Sequence, residues 1–267
     1  MEFKLPIREQ NSNKGTFGKV LNISGSKYMP GAAYLSSIAA LKIGCGYLIL
    51  CNDDEVLMTV TKLLPEAVLA PLKVINEQIK QADVILIGCG LSTSKKARNI
   101  LLKILNSDLK IPVVIDADGL NILSKIDNPK LPKNLILTPH PMEGARLLGV
   151  SLEEILKDRN SAAREISQKF NCTTILKGHN TVVCSKDLEI HINTTGNSAL
   201  SKAGTGDILA GMIAGLCAQG LSPFDAAKTG VHLHGLTGEL ASRKMTQYCV
   251  LASDLPQFFQ DAIKEII

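Results

Sequence analysis

Six short apolar runs, many of them rich in β-branched residues, punctuate this chain and constrain its fold more than any other feature. They span 19–24, 47–51, 84–88, 112–116, 135–139 and 173–177. Each is apolar on successive residues rather than on alternate ones. A strand with one wet face alternates, so these runs predict strands buried on both faces, as in a parallel sheet covered by helices. Between them, apolar residues recur at helical spacing: Ala33, Leu35, Ile38, Ala39 and Leu41, and later Ile100, Leu101, Ile104 and Leu105. This alternation predicts an α/β architecture, with a mostly parallel central sheet and helices on both faces. A later pair of runs, 181–185 and 189–193, predicts an antiparallel hairpin, and helical patterns follow over 207–219, 223–242 and 254–267. The hairpin and the consecutive final helices argue against a closed eightfold barrel, which needs unbroken alternation. Residues 1–267 read as a single domain.

Composition excludes several function classes. With 45% hydrophobic and 20% charged residues, the chain reads as globular rather than disordered. The formal charge of +4 is small and its basic residues are scattered, so no nucleic-acid footprint is present. Seven cysteines occur without a C-x-x-C pair, and most lie within apolar runs. They read as buried, reduced thiols, and no metal ligands follow from them. The first residues, Met1-Glu2-Phe3-Lys4, lack an apolar signal core, and no apolar run is long enough to span a bilayer. The expectation is a cytoplasmic protein with no membrane partner.

An open α/β sheet binds its ligands at the carboxyl ends of the strands, and the chemistry-bearing motifs all fall there. The most informative is Ala203-Gly204-Thr205-Gly206-Asp207-Ile208-Leu209-Ala210-Gly211. Two glycines admit close backbone approach, and a helical pattern begins at once, so free N–H groups would face an anion. Asp207 at that helix start is a candidate base; the plainer alternative is a helix cap after a flexible turn. Further segments are Gly88-Cys89-Gly90-Leu91, Asp116-Ala117-Asp118-Gly119-Leu120-Asn121, Thr138-Pro139-His140-Pro141-Met142-Glu143 and Lys177-Gly178-His179-Asn180-Thr181. Asp116 or Asp118 reads equally as a helix cap. Lys177 is expected to reach a phosphate as a mobile point charge, or else to be a solvated strand end. His140, between two prolines, is expected to be held stiffly at a strand end, or else to cap a neighbouring element. His232 and His234 stand two apart and would face different directions on a helix, which disfavours a metal pair. His191 alternates with Ile190 and Ile192, which predicts the exposed face of a strand.

Together these segments resemble the ADP/ATP-dependent NAD(P)H-hydrate dehydratase family, of the carboxy-terminal-domain type with a ribokinase-like fold. The resemblance runs from about Gly15 to Glu239, in the family's motif order. The family's G-G-T-G-D-x-L-A-G signature is matched by Ala203 to Gly211, with Ala203 replacing the first Gly. Its T-P-H-P-G-E segment is matched by Thr138 to Glu143, with Met142 replacing Gly, and its G-N-P-G segment appears as Gly196-Asn197-Ser198-Ala199. The resemblance implies that Asp207 is the general base at the substrate hydroxyl, and that Gly204, Thr205 and Gly206 form an anion hole. It implies nucleotide contacts at Lys177, Gly178, His179, Asn180, Thr181 and Gly206. Contacts with the hydrated dinucleotide, NADHX or NADPHX, are implied at Ala32, Gly90, His140 and Asp207. Mg²⁺, ADP or ATP as phosphate donor, a stand-alone form and a homo-oligomer, in particular a tetramer, are implied in the same way. Two other readings stand beside it: a thiazole- or vitamin-type kinase of the same fold, and a catalytically silent nucleotide-binding protein.

Overall fold

The computed structural model describes residues 3–267. Its strands are β1 (Lys19–Ile23), β2 (Tyr47–Asn52), β3 (Val68–Pro71), β4 (Val84–Ile87), β5 (Val113–Ile115), β6 (Leu135–Leu137), β7 (Thr173–Leu176), β8 (Val182–Cys184) and β9 (Ile190–Ile192). They form one sheet in the order β3-β2-β1-β4-β5-β6-β7-β8-β9. Every pairing from β3 across to β7 is parallel, and β8 and β9 complete the edge antiparallel. All six apolar runs and both hairpin runs are therefore strands.

The helices are α1 (Pro30–Lys42), α2 (Asp54–Val60), α3 (Ile75–Gln81), α4 (Lys95–Asn106), α5 (Asp118–Leu123), α6 (Pro141–Leu148), α7 (Leu152–Lys157), α8 (Arg159–Phe170), α9 (Thr205–Ala218), α10 (Pro223–Cys249) and α11 (Phe259–Lys264). Successive strand residues point to opposite faces. On one face Val20, Leu48, Leu50 and Leu86 join a core with Ala39 of α1, Met212 of α9 and Val231 of α10. On the other, Leu21, Ile23, Ile85 and Ile87 pack with Ile79 of α3, Leu101 of α4 and Ile166 of α8. Two apolar faces are why the runs carry no alternation. Helix α9 is buried along most of its length, and Gly211 lets it lie against α1: a Cβ there would sit 2.1 Å from the Ser36 carbonyl oxygen. That contact fixes where the α9 N-terminus opens.

One strand was not foreseen, and three expectations need correction. Strand β3 carried no signal, being a four-residue edge strand that ends in Pro71. The pattern over 254–267 is not one helix, because Pro256 lies in a 3-10 turn, Ala252–Gln257, before α11 begins. The pattern over 223–242 ends too early, since α10 continues to Cys249 with a break at Thr246 (φ 64). His191 is buried while Ile192 is the exposed neighbour, because Phe3 packs edge-on against the His191 ring. Six of the seven cysteines are buried and Cys249 is exposed. No helix among the described residues is long and apolar enough to cross a membrane.

Candidate functional site

Three adjacent strands, β5, β6 and β7, run out into Asp116, Thr138 and Lys177, and these side chains meet beneath the start of α9. The Asp116 carboxylate is buried; its Oδ1 accepts the Thr138 hydroxyl at 2.6 Å and the Lys177 ammonium at 2.7 Å. Lys177 is thus anchored, not the mobile charge expected from its place at a strand end. Burial alone would lower its pKa, but Asp116 and Glu143 outweigh that and hold it above the ordinary lysine value. A Cβ built on Gly206 would lie 3.5 Å from Lys177 Nζ, so the ammonium faces the first turn of α9.

That turn begins at Gly204, whose φ of 91° is a left-handed conformation that glycine adopts without strain. The Thr205 hydroxyl donates back to the Leu200 and Lys202 carbonyls, tying the turn to the preceding loop. The N-terminus of a 14-residue helix therefore lies beside the Lys177 ammonium, and both favour an anion. Asp207 lies on the same turn. Its donor atom, that of Cys89 and that of Asp116 all lie within 4.8 Å of one another. Burial and the Asp116 charge push the Asp207 pKa up to about 7, against the opposing pull of Lys177. Cys89 is pushed well above the usual thiol value by burial and then by Asp116 and Asp207, so it stays a thiol and is no nucleophile.

On the β1–β4 side two of the implied dinucleotide positions, Ala32 and Gly90, meet. Gly90, at φ 58°, lies so near α1 that a Cβ there would sit 2.7 Å from the Ala32 Cβ. The Gly25 N–H donates to the Cys89 carbonyl at 2.7 Å, closing β1 onto β4. His140 lies elsewhere, after β6, as the N-cap of α6: its Nδ1 accepts the Met142 and Glu143 N–H groups, and Glu143 Oε2 accepts the His140 N–H at 2.8 Å. The capping alternative for His140 is thus real, and the ring is still half exposed. Burial, then Lys177 and Arg146, lower its pKa, so it is neutral near pH 7.

On the β7–β9 side a cavity of about 570 Å³ takes in all six implied nucleotide positions: Lys177, Gly178, His179, Asn180, Thr181 and Gly206. Arg159 of α8 braces this loop by donating to the Leu176 and His179 carbonyls. A volume of this size suits a small-molecule ligand. The reading of the sequence missed four contributors. Asp116 was open to a capping role and proves to be the anchor of Lys177, and the succession of Asp, Thr and Lys after three neighbouring strands was the available signal. Cys89 and Glu143 stood inside the quoted strand-end segments but were given no role, and His234 was weighed only as half of a metal pair.

A family model described as NAD(P)H-hydrate dehydratase matches residues 20–260. The chain belongs to that family. An ADP-dependent (S)-NAD(P)H-hydrate dehydratase of Neisseria meningitidis is 42% identical over 240 residues, covering 87% of this chain and 80% of that protein. A bifunctional NAD(P)H-hydrate repair enzyme of Moorella thermoacetica is 36% identical over 281 residues, 98% of this chain and 52% of the enzyme; the chain spans about half the length of the bifunctional relatives it matches. The crystal structure of the ADP/ATP-dependent NAD(P)H-hydrate dehydratase of Bacillus subtilis, co-crystallised with ATP and Mg²⁺, superposes with a TM-score of 0.89 at 34% identity, covering 98% of this chain and 95% of that one. The fold is accordingly ribokinase-like.

For a member of the dehydratase family the arrangement has a clear chemical capacity. A carboxylate of pKa about 7 takes up a proton near neutrality. Beside it, a helix N-terminus and a lysine ammonium offer fixed positive potential to a phosphoryl group. Phosphoryl transfer demands little more than this positioning and charge.

Proposed function

We propose that this chain dehydrates the S-form of hydrated NADH or NADPH at the expense of ADP or ATP, and so repairs a damaged nicotinamide cofactor. Asp207 carries the reading: a carboxylate of raised pKa in the first turn of a phosphate-suited helix, with its donor atom within 4.8 Å of those of Asp116 and Cys89. In this reading Asp207 accepts the proton of the substrate hydroxyl as its oxygen attacks the terminal phosphorus of the nucleotide. The bond from that phosphorus to the nucleotide's leaving oxygen breaks, giving AMP from ADP or ADP from ATP. Gly204, Thr205 and Gly206 hold the transferred phosphoryl group, and Lys177 to Thr181 hold the nucleotide. Ala32, Gly90 and His140 hold the hydrate. The phosphate then departs with the electrons of its carbon–oxygen bond, and loss of a ring proton restores the conjugated dihydropyridine.

The oxygen donors Asp116 and Asp207 suit Mg²⁺, whereas the Cys89 thiol does not. When bound, the ion would neutralise nucleotide phosphate charge. The further parts of the reading are one domain over 1–267, a homo-oligomer, in particular a tetramer, and a cytoplasmic location. The product tests the reading. Hydrated NADH incubated with ADP, and separately with ATP, should regain the absorbance of reduced nicotinamide, with one phosphate released per nucleotide consumed. Nucleotide consumption with a stable phosphorylated alcohol and no gain in absorbance would overturn it in favour of a kinase.

A further inference from the structure

The loop after β7 is polarised: its carbonyls are tied down and its N–H groups are not. Arg159, the first residue of α8, donates through Nη2 to the Leu176 carbonyl at 2.9 Å and through Nη1 to the His179 carbonyl. Between them, the Thr181 hydroxyl donates to the Gly178 carbonyl at 2.9 Å. Among the described residues, the N–H groups of Gly178, His179 and Asn180 donate to no protein acceptor, and all three residues are exposed. The peptide bonds are trans, so each C=O points away from the N–H that follows it. Holding the His179 carbonyl on Arg159 therefore turns the Asn180 N–H away from Arg159. His179 and Asn180 line the 570 Å³ cavity and Arg159 does not, so the guanidinium acts from behind the loop.

The Arg159 side chain is committed to this loop. Both of its hydrogen bonds go there, and its Nε has no partner. The neighbouring Asp158 carboxylate is spent on capping α8, where its Oδ1 accepts the Asn160 and Ser161 N–H groups at 3.0 Å. Burial lowers the Arg159 pKa and no carboxylate offsets the fall, yet a guanidinium stays charged in a protein. The approach is close: a Cβ on Gly178, whose φ is 143°, would lie 3.1 Å from Nη2. A planar fork of donors can hold two carbonyls on either side of Lys177 and Gly178. A lysine ammonium is a point charge on a flexible stem and would not fix both in one geometry. Free successive amides form an anion-binding concavity, and a fixed cation behind them adds to its positive potential.

We propose that Arg159 is a positioning residue for the nucleotide: by holding the Leu176 and His179 carbonyls it presents the loop amides to the nucleotide's phosphates, without touching the nucleotide itself. This rests on the nucleotide reading of the cavity. Calorimetric ADP binding and steady-state kinetics of Arg159→Lys and Arg159→Ala, with amide hydrogen exchange of the wild type, test it. Both variants should bind ADP about tenfold or more weakly, the usual effect of losing a hydrogen bond to a charged group. The apparent KM for ADP should rise by the same factor while the KM for the hydrate stays as in the wild type. Folded variants that have a lower Tm but wild-type ADP affinity, or that lose affinity for both ligands alike, overturn the proposal and leave Arg159 a brace of the fold. In the wild type the His179 and Asn180 amides should exchange fast without nucleotide and become protected on saturation with ADP, a measurement that needs no variant to fold. ADP binding without that protection overturns the proposal too. If the wild type binds neither ADP nor ATP, the nucleotide reading itself falls, an outcome distinct from binding that is indifferent to Arg159.

Discussion

On the β1–β4 side of Asp207 the walls of the site are backbone; on the β7–β9 side they are side chains. At the first, Gly25 and Gly90 would each bring a Cβ within 2.7 Å of an alanine Cβ of α1, so only main chain and methyl groups fit. At the second, a loop of Lys177, His179, Asn180 and Thr181 lines an open cavity and is braced from behind by Arg159. The first side offers shape alone to a ligand. The second offers charge and hydrogen-bonding groups, on a loop with positive φ values at Gly178 (143°) and Asn180 (54°). A substitution at Asp207, which lines neither the loop nor the Gly90–Ala32 contact, should leave nucleotide binding in place.

The largest expected effect follows from that. Asp207→Asn should lower turnover by roughly 10² to 10⁴, the range for removal of a general base, with ADP affinity little changed. Turnover of the wild type should rise with pH through about 7, as the carboxylate loses its proton. Stability should run the other way. The Asp207 pKa is raised in the fold from an ordinary 3.8, so its contribution is full below that value and is lost as pH rises through about 7. Asp207→Asn should remove this slope, so its Tm at pH 8 should exceed that of the wild type. Near-normal turnover in the variant would remove Asp207 from the role of base.

A smaller effect tests the charged side. Lys177→Ala should weaken ADP binding by roughly 10- to 100-fold, as loss of a charge-assisted hydrogen bond does, and should change hydrate affinity far less. The Tm should fall as well, because the buried Asp116 carboxylate would lose its 2.7 Å partner. Equal ADP affinity in variant and wild type, measured by calorimetry, would show that the two sides do not divide the ligands between them.

The same contrast explains what the sequence revealed. The parallel strands were legible because both faces are apolar, and the glycine-rich turns because they follow those strands directly. Strand β3 was not, since four residues at an edge carry no periodicity. The partnership of Asp116 with Lys177 joins residues 61 positions apart, and only the β5–β6–β7 order brings them together. His191 misled because alternation states that two faces differ, not which one is covered; Phe3 packs against it from the far end of the chain. His234 was hidden for a similar reason: its spacing from His232 showed that the two diverge, but not that one of them lines a cavity.

The smallest effect concerns His140, where a binding role and a structural role coincide. The ring accepts two N–H groups at the start of α6, and replacing such a cap with Ala costs about 0.5–2 kcal/mol. It is also half exposed after β6, neutral, with Nε2 3.4 Å from Glu143 Oε1. His140→Ala should therefore lower the Tm modestly and raise the apparent KM for the hydrate, leaving ADP binding nearly intact. His140→Asn separates the two roles. Asparagine is a good helix cap but lacks the reach and the second nitrogen of imidazole. It should recover the Tm while the KM for the hydrate stays raised. Recovery of both together would reduce His140 to a cap, and the β1–β4 side would then read its ligand through Gly90 and Ala32 without the histidine.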